Sequence, residues 1–115
     1  MKWEEEKAIV REYIESVKAI YGRHLENAIL FGSCARGESD GASDIDILLL
    51  VDDSAVSQSS FEDAVDGLTF EFNVQHDAMI SPLIESRRAF LYWQDANPFF
   101  LNVKQDGVML YGQAG

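Results

Sequence analysis

Apolar residues recur at spacings of three and four near the start of the chain. Ile9, Val10, Tyr13, Ile14, Val17, Ile20 and Tyr21 fall on one side, and Glu5, Glu12, Glu15 and Lys18 on the other. This is the period of an amphipathic helix, predicted over residues 3–21 and ended by Gly22. Asn27-Ala28-Ile29-Leu30-Phe31 is then a mostly apolar run, and its second half reads as a strand. Residues 32–43 hold three glycines and three serines in twelve positions, the composition of a loop with room for one helical turn. A second strand starts at Asp44 and continues through Ile47 to Val51; it is apolar on both faces after Asp46, which predicts a central place in its sheet.

Asp52 to Ser60 is polar and Ser-rich, a surface loop, and Phe61 to Val65 reads as a short helix closed by Gly67. From Leu68 to Val74, apolar Leu68, Phe70, Phe72 and Val74 alternate with Thr69, Glu71 and Asn73, the period of a strand with one wet face. Ser81-Pro82 is expected to open a helix, Ser81 as N-cap and Pro82 in the first turn, running to about Gln94. Asn97-Pro98 separates it from a further short helix, and Asp106-Gly107 leads into Val108-Met109-Leu110-Tyr111, a closing or edge strand. No repeat, linker or second domain interrupts residues 1–115, which read as a single domain.

Composition narrows the partners. Lys and Arg number 9 against 20 Asp and Glu, a net charge of −11, so the chain offers no broad basic face for duplex nucleic acid. A small anionic ligand then needs local help, from a bound cation or converging backbone N–H groups. With 47% hydrophobic residues the composition is globular rather than disordered. The single Cys34 excludes an internal disulfide, and no Cys/His spacing resembles a zinc site. The acidic start Met1-Lys2-Trp3-Glu4-Glu5-Glu6 is unlike a signal peptide, and no apolar run approaches membrane-spanning length. A soluble cytoplasmic protein is the expectation.

One stretch carries chemistry. Phe31-Gly32-Ser33 is followed, after ten residues, by Asp44-Ile45-Asp46. Positions two apart on a strand point the same way, so Asp44 and Asp46 share a face, and like charges ~6–7 Å apart call for a counter-charge. A hard divalent cation such as Mg²⁺ fits, because it sits between one or two carboxylates and a substrate's phosphates. Gly32 lets the backbone turn sharply towards a ligand, the turn amides and the Ser33 hydroxyl can hold phosphate oxygens, and Arg36 is the nearest cation. Either half alone is more often an ordinary strand end or turn. At this spacing, each at the edge of an apolar strand, the two halves support one another.

The string Phe31-Gly32-Ser33-Cys34-Ala35-Arg36-Gly37, with Ser43-Asp44-Ile45-Asp46-Ile47-Leu48, resembles the signature of the DNA polymerase beta-like nucleotidyltransferase superfamily. Chain length and the ending Gly107-Val108-Met109-Leu110-Tyr111 resemble its minimal nucleotidyltransferase branch. The resemblance implies an α/β fold with a small mixed sheet flanked by helices, Mg²⁺ (one ion or two), ATP or another nucleoside triphosphate, and transfer of a nucleoside monophosphate to a hydroxyl. Many members of that branch pair with a HEPN-domain protein, and some are antitoxins that adenylylate a tyrosine of that partner.

The family usually carries a third carboxylate on a later strand, facing the first two. Here the sequence departs from the pattern. Asn73, by its place before the Ser81 helix, resembles one equivalent, although an amide is no base; Glu71, two residues earlier and on the same face of the expected strand, is the other. The competing reading is a catalytically weak or inactive nucleotidyltransferase-like antitoxin or scaffold that acts by binding, its acidic surface covering a basic partner. His24 and His76 read as surface or loop histidines and Cys34 as a small filler. Phe90, Leu91, Tyr92, Trp93, Phe99, Phe100 and Leu101 read mostly as core, with Tyr92, Trp93 or Phe99 the candidates for a homodimer or partner surface.

Overall fold

The computed structural model describes residues 3–37 and 44–112. Helix α1 spans Trp3–Tyr21, as its periodicity predicts, and a 3-10 turn at Gly22–His24 follows. Strand β1, Leu25–Phe31, starts two residues ahead of the expected run, and β2 spans Ile45–Val51. The two pair antiparallel, from Leu25 opposite Val51 to Phe31 opposite Asp46. Helix α2, Asp53–Val56, lies within the expected polar loop; its N-cap Asp52 accepts from the Ala55 N–H at 2.8 Å, which explains why a Ser-rich stretch folds into a turn of helix.

Two expectations are overturned in the middle of the chain. Helix α3 runs from Ser59 to His76, straight through Gly67 and the whole of Leu68–Val74. The alternation there is incidental: the helix buries Val65, Thr69 and Phe72 at helical spacing and leaves Phe70 and Val74 more than two-thirds exposed. It ends where Asp77 adopts a left-handed conformation at φ 50° and the Ala78 N–H returns to the Asn73 carbonyl. Ile80–Ser86, expected to open a helix, is instead strand β3, parallel to β2. The helix start lies five residues later, at Ser86, whose hydroxyl accepts from the Ala89 N–H at 3.1 Å ahead of α4, Arg87–Trp93.

Pro82 fits β3 because the strand is at the sheet edge. The Ile80 backbone is bonded on both sides by the Asn73 side chain, with Ile80 N–H to Oδ1 at 2.9 Å and Nδ2 to the Ile80 carbonyl at 3.0 Å, so Ile80 and Pro82 turn their main chains away from β2. The missing proline N–H therefore costs no ladder bond. Asn97 caps α5, Pro98–Asp106, through its Oδ1, and β4, Val108–Tyr111, closes the other edge against β1. The sheet order is β3-β2-β1-β4, mixed, with β2 interior as its two apolar faces require. Ile45, Ile47, Leu49 and Val51 pack under α1 and α3; Leu48 and Leu50 pack with Ile29 under Phe90, Phe100 and Val103 of α4 and α5.

Candidate active site

The site forms where β1 ends beside the start of β2. Gly32 has φ 79°, a conformation that favours glycine, and a Cβ built on it would lie 2.3 Å from the Asp46 Oδ2. The turn after β1 and the carboxylate on β2 are therefore in direct contact, and no side chain larger than glycine's hydrogen fits between them. Past Gly32 the chain winds back on itself, the Arg36 N–H reaching the Gly32 carbonyl at 3.3 Å and the Gly37 N–H the Cys34 carbonyl at 3.2 Å. Ser33 is half-buried on this turn and Arg36 is exposed. Cys34 points inward, into the core under α1 and α3, and its thiol donates to the Asp44 carbonyl at 3.6 Å, tying the turn to the start of β2. It is the small filler expected.

Asp46 lies on the same face of β2 as Leu48 and Leu50, the face covered by α4 and α5 further along the strand. Burial, and then the neighbouring charge of Asp44, raises the Asp46 carboxyl above the ordinary carboxylate range. The two carboxylates of this partly open corner are an all-oxygen donor pair of the kind that would suit a hard cation such as Mg²⁺. Phe31, opposite Asp46 on β1, stacks edge-on against Phe99 at 5.3 Å, giving the corner an aromatic wall.

The two positions considered for a third acid stand elsewhere. Glu71 is exposed on α3, which covers the opposite face of the sheet from Asp46, so the shared-face argument for it falls with the expected strand. Asn73 is occupied with clamping Ile80. The side chains that the fold does bring to the pair are ones that sequence reasoning passed over. Ser81 is in register with Asp46, and the Met79 carbonyl accepts from the Ile45 N–H at 2.9 Å, placing Met79 alongside Asp44. Reading Ile80–Ser86 as a strand parallel to β2 would have found them. Among the described residues, no group of three or more His, Cys, Asp or Glu is arranged to hold a metal.

Residues 10–91 match the family model described as "Nucleotidyltransferase domain". The chain belongs to the nucleotidyltransferase domain family. A Methanocaldococcus jannaschii protein named as a putative protein adenylyltransferase is 34% identical over 110 residues, covering 93% of this chain and 98% of the relative. Among solved structures, a chain of a toxin–antitoxin complex with AMP-PNP aligns with a TM-score of 0.54 at 20% identity, over 90% of this chain and 73% of that one. A chain of a complex between a tri-AMPylated Shewanella oneidensis HEPN toxin and an MNT antitoxin aligns with a TM-score of 0.54 at 18% identity, over 93% of this chain and 73% of that one.

This nucleotidyltransferase domain keeps its other candidates away from the corner. His24 bonds Asp52 through Nδ1 at 2.7 Å at the far end of β2, and His76 packs on Phe72 at 4.2 Å on α3. Phe90 and Phe100 are core, whereas Tyr92 and Trp93 are more than half exposed. No described helix is long and apolar enough to cross a membrane.

Proposed function

We propose that this nucleotidyltransferase moves the nucleoside monophosphate of a triphosphate, ATP in the first instance, to a hydroxyl of a protein acceptor in the cytoplasm. The contact between Gly32 and the Asp46 carboxylate carries the reading, because it joins the turn after β1 to a carboxylate pair in one corner. The Ser33 hydroxyl and the turn amides hold phosphate oxygens, and Arg36 adds a cation at the rim. Asp44 and Asp46 would hold Mg²⁺, which when bound neutralises charge as pyrophosphate leaves. The acceptor oxygen attacks the α-phosphorus in line with the departing pyrophosphate. A HEPN-domain protein, through a tyrosine, is the acceptor this reading favours, since a structural neighbour contains an AMPylated HEPN toxin and a relative is named for protein adenylyl transfer.

The test is incubation with labelled ATP, Mg²⁺ and the co-purified partner, followed by mass spectrometry. A nucleotide-sized increment on the partner is expected, and it should fall by at least ~100-fold in Asp44→Asn plus Asp46→Asn. Undiminished transfer by the double variant would refute the assignment. A second reading, an antitoxin that acts by binding alone, draws on Met79 and Ser81 standing beside the pair. It predicts that neutralisation of the partner survives the double variant.

A further inference from the structure

We propose that the outer face of α3 is the docking surface for the protein acceptor, and that it receives an amphipathic helix of that partner with Lys or Arg beside its apolar stripe. The inference rests on the reading above that the acceptor is a protein. The face lies opposite the buried Val65, Thr69 and Phe72. On it Asp63, Gly67, Phe70 and Val74 follow one another at spacings of four, three and four, all exposed, with Asp66, Glu71 and Asp77 at its flanks and end. That spacing is the seam of a helix-on-helix contact. Among the described residues nothing covers it, since Phe70 is 72% exposed and Val74 71%.

Three features of this face are unfavourable in the free domain. Two large apolar side chains stand in water one helical turn apart. Gly67 lies mid-helix, and a Cβ on it would meet nothing within 4 Å; no packing inside the domain calls for glycine there, whereas a helix crossing at close range does. Glu62, Asp63, Asp66, Glu71 and Asp77 are all exposed, α3 holds no Lys or Arg, and among the described residues none of these carboxylates is ion-paired. Glu62 and Asp66 repel one another four residues apart, and Asp77 stands at the helix C-terminus, where negative charge is disfavoured. A partner helix that brings apolar side chains, cations and a close crossing answers all three. The charge selects the occupant: a second copy would set like carboxylates against each other, and duplex nucleic acid or an anionic membrane would be repelled. α3 ends at His76, and four residues later the chain reaches Ile80, opposite Ile45, which stands between Asp44 and Asp46. A partner on this face therefore lies against the end of the sheet where the corner forms.

The experiment measures binding of the full chain to the purified HEPN-domain partner by calorimetry, with AMP transfer to the same partner assayed in parallel. Phe70→Ser plus Val74→Ser should weaken binding at least ~10-fold. Gly67→Gln should weaken it while raising the melting temperature of the free chain, a split that a purely structural role would not give. Asp63→Asn plus Asp66→Asn should weaken it too and flatten its dependence on NaCl. Transfer at saturating partner should match the parent in each. If the parent binds and transfers while Gly67→Gln and the folded Phe70→Ser plus Val74→Ser variant bind as tightly, the inference is overturned and the functional reading stands. Binding weakened as stated, with no transfer by the parent, sustains the docking face and overturns the functional reading. A parent that binds no such partner, or that forms a dimer dissolved by Phe70→Ser, overturns the inference.

Discussion

Asn73 shows how a residue's role depends on its setting. As a member of an alternating run it resembles a site residue; in the fold its amide bonds both the N–H and the carbonyl of Ile80 on the open side of β3. Those two groups would otherwise present an unpaired strand edge, and the clamp also fixes where β3 begins relative to α3. Asn73→Ala should destabilise the domain by about 2 kcal/mol, two net hydrogen bonds at roughly 1 kcal/mol each, measured by urea denaturation. AMP transfer per folded molecule should stay near the parent value, which separates this position from Asp44 and Asp46. Gly32 is the converse case: its turn was legible from its place between an apolar strand and a serine, whereas its close approach to the Asp46 carboxylate shows only in the fold.

At the scale of elements, α3 is the instructive one. A run that alternates apolar and polar over seven residues has apolar side chains on both sides when wound at 3.6 residues per turn. Phe72 then goes inward, where it meets Tyr13 edge-on at 5.4 Å, while Phe70 and Val74 face solvent. Thr69 gives its proton to the Val65 carbonyl at 2.7 Å, so the Tyr13 hydroxyl donates to Thr69 across the α1–α3 contact. Desolvation in that contact pushes the Tyr13 phenol up to about 12. Phe72→Ala should cost ~3–5 kcal/mol and Phe70→Ser less than ~0.5 kcal/mol, the first by emptying a packed site and the second by changing a solvated one. Had the segment been a strand with one wet face, the two would cost similar amounts. Denaturant midpoints of the pair read this directly.

At the scale of the molecule, a net charge of −11 sets the background against which the corner works. Self-repulsion of like charge destabilises the compact state, and Asp46 adds a local share because burial and Asp44 disfavour its charged form. The sign follows from linkage. A carboxyl whose folded pKa is raised above its unfolded value favours folding when protonated, so its cost is present at neutral pH and is relieved as pH falls through the carboxylate range. A divalent cation should relieve the same cost at pH 7. Mg²⁺ is expected to raise the melting temperature at pH 7 beyond NaCl of equal ionic strength. The increment should shrink towards pH 4 and vanish in Asp44→Asn plus Asp46→Asn, as calorimetric scans would show.

The sequence by itself determined α1, the inner strand β2 and the edge strand β4, and it singled out Gly32, Ser33, Asp44 and Asp46 as candidates. All of these are local: a period, a punctuating glycine, two acids two residues apart. The tertiary structure decided the stretch from Ser59 to Ser86. Two parallel strands need a crossover long enough to return the chain, and α3 provides it in spite of Gly67 and the alternation. An edge position, invisible in the sequence, lets Pro82 sit in a strand. The same pairing decided what stands beside the carboxylates, because strand register is a long-range property. Met79 and Ser81 adjoin Asp44 and Asp46 only once β3 lies parallel to β2.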